Sequence, residues 1–106
     1  YSTQDEDENV QNFLKSYEEK YNETPNSFSA LGYDAAKILC TAIENAGSTD
    51  AQAIVDQMKA TSIDGVTGHI VYDDHNDPQK SVAIITFENG EMKLVEKLMP
   101  TTAAAE

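Results

Sequence analysis

The chain has 106 residues, a net charge of -12 and 40% apolar residues, which fits one small domain with a thin core. So acidic a surface repels phosphate backbones, which excludes DNA and RNA as expected partners and leaves solubility as the plain reading of the charge. There is no run of about 18 apolar residues to cross a membrane and no basic-plus-apolar leader, so the chain is expected to be cytoplasmic, mature or a fragment.

Residues 1–9 are polar and acidic and lead into a helix N-terminus, where the macrodipole favours negative charge. The first helix is expected over residues 7–22, with Val10, Phe13, Leu14, Tyr17 and Tyr21 as its apolar stripe. Pro25 lacks an N–H and biases Thr24 away from helical angles, so the helix stops before it. The strongest helical pattern follows over residues 26–47. Leu31, Ala35, Ile38, Leu39, Ala42, Ile43 and Ala46 recur at steps of three and four and are read as the core face. Asn26, Ser27 or Ser29 is its cap, and Gly47 closes it. Cys40, the single cysteine, lies beside Leu39 and is read as a packed thiol; no internal disulfide or cysteine zinc site is possible.

A third helix is expected over residues 50–60, with Thr49 and Gln52 in capping-box spacing and Ile54, Val55 and Met58 as a short apolar face. Residues 61–67 read as a connector, and residues 68–73 as a strand with Ile70 and Tyr72 on one face and His69 and Val71 on the other. The run Asp73-Asp-His-Asn-Asp-Pro78 reads as a turn. Residues 81–88 and 91–99 flank Asn89-Gly90, a strong hairpin signal. Val82, Ala83, Ile84, Ile85 and Phe87 are nearly continuous and predict a strand covered on both faces by partners the chain does not contain. Residues 101–106 read as a frayed tail. The fold class is therefore α/β: three helices, a short strand, then a β-hairpin.

Chemistry-bearing constellations are sparse. Asp73, His75, Asn76 and Asp77 have the composition of a calcium loop, but Pro78 stands where the loop needs Gly, so a solvated turn is the better reading. Cys40 with His69 or His75 is a conceivable nucleophile–base pair with nothing to bring it together. There is no GxGxxG and no phosphate-binding loop. No catalytic residue, metal or cofactor is expected. Tyr33, in the first turns of the second helix beside Gly32, has two readings: a partly buried aromatic, or a ring facing a ligand.

Several motifs in order carry a resemblance: Tyr1-Ser2; Phe13, Tyr17 and Tyr21 at four-residue steps; Pro25-Asn-Ser-Phe-Ser-Ala-Leu-Gly-Tyr-Asp-Ala35; Ala42-Ile-Glu-Asn-Ala-Gly-Ser48; Gly65-Val-Thr-Gly-His-Ile70; Tyr72-Asp73; and Asp77-Pro-Gln-Lys80. Over residues 1–100 the chain resembles the C-terminal part of the periplasmic binding proteins for branched-chain amino acids (leucine, isoleucine, valine), the type I solute receptors of ABC transporters. The resemblance implies part of a type I periplasmic binding protein fold, in which two α/β lobes trap a ligand between them. Residues 1–80 would complete lobe one, and residues 81–106 would return to lobe two as a hairpin and tail. Gln79, Lys80 and Ser81 would lie at a hinge. Tyr33 matches a position whose ring borders the ligand side chain. The groups that hold the ligand's amino and carboxylate ends belong to family segments without a counterpart here, so the chain alone is not expected to bind ligand. The implied partners are an amino acid and an ABC permease, and the implied setting is periplasmic or extracellular, with a lipid anchor on the absent N-terminal part. The alternative is a freestanding acidic α/β interaction domain that dimerises through its hairpin; in either case the exposed strand is expected to make the chain self-associate.

Overall fold

The computed structural model describes residues 1–100, and the tail expected at residues 101–106 lies outside the described residues. Three helices come first. Helix α1 (Glu8–Tyr21) is capped by Asp7, whose carboxylate accepts from the Asn9 N–H at 2.9 Å, and ends at Asn22 in the left-handed conformation. Helix α2 (Ser27–Ala46) is capped by Asn26, which accepts from the N–H groups of Phe28 and Ser29, and closes at Gly47. Helix α3 (Ala51–Lys59) begins one residue later than the capping-box spacing predicts. Its cap is Asp50, which accepts from Ala53 at 3.0 Å, while Gln52 turns outward to Asp56. A short carboxylate at position 50 is a better acceptor than the preceding threonine, and it takes the role.

Five strands follow among the described residues, where the sequence predicts three. β1 (Ser62–Gly65) pairs antiparallel with β2 (Gly68–Tyr72) from Ser62↔Val71 to Gly65↔Gly68, so most of the expected connector is a strand. β3 (Pro78–Gln79) adds two residues to the other side of β2. Between β2 and β3, the Asp73 carboxylate accepts from the N–H groups of His75 and Asp77, both at 2.9 Å, which gives the expected turn. β4 (Val82–Glu88) and β5 (Glu91–Leu98) form a separate two-stranded sheet with a register shift between Ile84 and Ile85. Asn89 and Gly90 both have positive φ, 51° and 81°, as a type I′ turn requires.

The core lies among α1, the start of α2 and the β1–β2 turn. Val10, Phe13, Leu14, Ala30 and Val66 are its buried members, with Tyr1 and Tyr17 packed against them. The buried line of α2 is rotated from the expected one. Ala30, Asp34, Ile38 and Ala42 are buried at four-residue steps, whereas Leu31, Ala35 and Leu39 are exposed. Cys40 is also exposed, contrary to the packed thiol expected. Hydrophobic identity selected the wrong edge of the helix because the true line includes a buried carboxylate.

The β4–β5 hairpin has no buried residue, and Phe87 is 68% exposed. The covering expected on both faces of β4 is not supplied by the described residues. The Cα radius of gyration is 15.8 Å and the principal extents are 49 × 43 × 19 Å. A compact domain of about 100 residues has a radius of about 13 Å, so the chain is flat, with the hairpin as an arm. That arm is tied back by the Lys97–Asp5 ion pair and by the Leu94 N–H donating to Gln4 at 3.0 Å.

Candidate ligand-binding site

Tyr33 follows from where α2 begins. Asn26 fixes the start of the helix, and Ala30 and Asp34 face the core, so position 33 falls at the edge of the buried line. Its ring is half exposed and packs on Phe13 with centroids 5.1 Å apart. Phe13 also meets Tyr1 edge-on at 6.3 Å and Tyr17 at 5.7 Å, and Tyr17 continues to Tyr21 at 4.6 Å. Rings at four-residue steps on α1 stack along one face, and Tyr33 extends that row onto α2. An open groove of about 330 Å³ runs along it, lined by Phe13, Tyr17, Tyr21 and Tyr33 together with Ser16, Lys20 and Ser29.

The groove is an apolar wall with a few polar handles. Ser29 donates its hydroxyl to the Tyr17 oxygen at 3.3 Å, and the Lys20 ammonium lies 5.5 Å from the centre of the Tyr21 ring. Tyr1, at the end of the aromatic row, has a phenol raised above its usual range by burial and then by the Glu18 charge. Among the described residues that line the groove there is no carboxylate to meet an ammonium group. These side chains can therefore shape the pocket for an apolar side chain, but they do not satisfy both charged ends of an amino acid.

The expected hinge residues lie elsewhere. Gln79 pairs with Val71 in the sheet and donates its side-chain amide to Asp73 at 3.0 Å. The Asp73 carboxyl is held below the usual carboxylate range by the Asp77 N–H first; slight burial opposes this, and the His75 N–H, the His75 charge and Gln79 reinforce it. The Lys80 ammonium donates to the Thr67 hydroxyl at 2.9 Å. Ser81 sits against Gly68, where a Cβ would come within 2.9 Å of its Oγ. Lys80 and Ser81 thus meet the β1–β2 turn, and Tyr33 meets α1.

Asp34 is the residue that sequence reasoning missed. It is 2% exposed, and its carboxylate accepts from the Val66 N–H at 2.8 Å, the Thr67 N–H at 2.8 Å and the Thr67 hydroxyl at 2.6 Å. The signal was present: an acid midway between Ala30 and Ile38, four residues from each, lies on one helix face with them. Gly65 is needed there because a Cβ would approach the carboxylate to 2.7 Å.

The remaining candidates resolve simply. His69 bonds to neither Cys40 nor His75. Its Nδ1 lies 2.6 Å from Asp64 and its Nε2 3.3 Å from Ser62, a cross-strand trio on an open face. Among the described residues no group of three or more His, Cys, Asp or Glu is placed to hold a metal, and no helix is long and apolar enough to cross a membrane.

Comparison with known proteins gives the family and the fold. A family profile described as periplasmic binding protein matches residues 1–91. No curated protein matches the chain. Among solved structures, a leucine-binding protein from Thermotoga maritima is 33% identical with a TM-score of 0.80, over 94% of this chain and 29% of that one. A branched-chain amino acid transporter substrate-binding protein from Streptococcus pneumoniae, in complex with isoleucine, is 30% identical with a TM-score of 0.81, over 94% and 28%. A solute-binding protein of an ABC transporter from R. palustris, in complex with benzoate, shares the fold at 22% identity and a TM-score of 0.83, over 94% and 28%. The chain spans less than a third of the length of each of these proteins.

Proposed function

This chain belongs to the periplasmic binding protein family, and from that premise we propose that it is part of an extracellular or periplasmic receptor that captures an amino acid of the branched-chain type for an ABC permease. Such a receptor binds its solute and is not an enzyme. Residues 1–80 belong to one lobe in this reading, and the chain from residue 81 onward returns to the other. Gln79, Lys80 and Ser81 form the crossover hinge.

The observation that carries the reading is the half-exposed Tyr33 ring, seated on Phe13 at the edge of an aromatic groove. A groove with apolar walls suits an aliphatic side chain. The relatives at 30% identity or more are named for leucine or crystallised with isoleucine, which supports the branched-chain choice. The benzoate complex has the same fold, so the solute is a matter of side chains and not of architecture.

The test is a chimera in which this chain replaces the matching segment of the Thermotoga leucine-binding protein. Calorimetry should show leucine binding, and Tyr33→Ala should weaken it by about tenfold or more through loss of the apolar wall. A folded chimera that binds leucine equally well with either residue would remove Tyr33 from the site.

One observation favours self-association of the isolated chain: Val82, Phe87, Met92 and Val95 are each more than half exposed on the hairpin. Exposed apolar strands recruit further strands. Light scattering at high micromolar concentration should report species larger than 11.6 kDa, and Phe87→Lys should return the chain to monomer. A purely monomeric parent chain would exclude this.

A further inference from the structure

We propose that Thr67 is a positioning residue that couples helix α2 to the crossover at Lys80 and Ser81, and so sets the angle at which the β4–β5 arm leaves the rest of the chain. The inference rests on the reading of residues 79–81 as a hinge.

The proton bookkeeping allows only one direction. The Lys80 ammonium can only donate, and it donates to the Thr67 hydroxyl oxygen at 2.9 Å. Thr67 then has one proton to give, and Asp34 Oδ2 takes it at 2.6 Å. The backbone N–H groups of Val66 and Thr67, both at 2.8 Å, occupy the carboxylate as well. The result is a cation, a hydroxyl and a buried anion in series. An isolated buried carboxylate is costly, and this series gives Asp34 a cation through one intermediary. A shared hydroxyl also fixes distance and direction better than a flexible lysine meeting a carboxylate at the surface.

Steric contact reinforces the link on both sides of the same turn. A Cβ on Gly65 would strike the Asp34 carboxylate at 2.7 Å, and a Cβ on Gly68 would strike Ser81 Oγ at 2.9 Å. The four-residue turn is therefore wedged between α2 and the crossover, and Gly68 holds a φ of +114° that other residues rarely adopt. Rotation about residues 80–81 has to open the Lys80–Thr67 contact or lift Ser81 from Gly68. Past residue 81 the arm is held by the Lys97–Asp5 pair and the Leu94–Gln4 bond. Tyr33 precedes Asp34 on α2, so the ring proposed to face the ligand is the chain neighbour of the buried end of this hydrogen-bonded series, whose other end is Lys80 at the proposed hinge.

The experiment uses the 106-residue chain without ligand, so its outcome is independent of the chimera's. Thr67→Val keeps the shape and removes the hydroxyl. Amide exchange at residues 80–83 should then quicken by about tenfold, residual dipolar couplings should show a wider spread of arm orientations, and α2 amides should keep their protection. Thr67→Ser should restore the parent behaviour. Lys80→Met, which leaves the buried end intact, should reproduce the Thr67→Val effect and add nothing to it in the double variant. If Thr67→Val does not fold, Lys80→Met alone decides the matter. Unchanged rates at residues 80–83 in a folded variant, or a uniform rise across α2 and the arm alike, would overturn the proposal.

Discussion

Two β-hairpins, β1–β2 and β4–β5, differ in the opposite sense to what their sequences suggest. β4–β5 has the longer strands, the more continuous apolar run and the stronger turn signal, yet it buries nothing. β1–β2 is short, contains Asp64 and His69, and turns on Val66-Thr67 without a hairpin signature, yet it buries Gly65, Val66 and Ile70. The difference lies beneath the strands. α2 presents a carboxylate that matches the N–H groups of the β1–β2 turn, whereas none of the described residues lies against either face of β4–β5 closely enough to bury it. Local pattern decides that a hairpin forms; a partner surface decides whether it is part of a core.

The largest way to break this contrast is Asp34→Ala. It strips the acceptor from two backbone N–H groups under a buried turn, each costing about 1–3 kcal/mol when left unpaired. Urea unfolding followed by circular dichroism should show a loss of about 3–5 kcal/mol, enough to threaten a chain of ordinary stability. A loss below about 1 kcal/mol would mean that water replaces the carboxylate freely.

Gly65→Ala attacks the same contact from the other side. The added methyl meets the Asp34 carboxylate at 2.7 Å, and overpacking of this kind costs about 1–3 kcal/mol. The Gly65→Ala, Asp34→Ala double variant should lose less than the sum of the two, because the second change removes what the first collides with. Strict additivity would contradict the packing described.

A smaller effect should appear at the tie between the arm and the N-terminal segment. Burial raises the Asp5 carboxyl, but the Lys97 hydrogen bond, the Asp7 N–H and the Lys97 charge outweigh it, so the net shift is downward. A folded-state carboxyl below its unfolded value of about 3.9 stabilises above that pH and loses the contribution as pH falls through the lower folded value. Acid titration of the melting temperature should therefore be less steep for Lys97→Met than for the parent below about pH 4. Parallel curves would show that the ion pair contributes nothing.

The smallest effect is expected at the arm itself. Phe87 is 68% exposed, so Phe87→Lys should change monomer stability by no more than about 0.5 kcal/mol, measured by urea unfolding at low concentration. A loss as large as that of Asp34→Ala would show that the arm is packed in solution, and the contrast between the two hairpins would fail.

Much of the chain was legible because its causes are local. The three helices, the Asn26 and Gly47 boundaries of α2, the turn at Asp73 and the Asn89-Gly90 hairpin all follow from caps, punctuation and turn chemistry within a few residues of where they act. The resemblance carried by the order of motifs is borne out as well, since a periplasmic binding protein profile matches residues 1–91. Tertiary structure decided what depends on distant partners. Leu39 and Cys40 look like core by composition and are exposed, while Asp34 looks like surface and is buried. Hydrophobicity ranks residues by the cost of exposing them, but a buried carboxylate becomes favourable only when N–H groups from another element arrive to meet it. The donors at Val66 and Thr67 lie more than thirty positions away, beyond the reach of any pattern along a single helix.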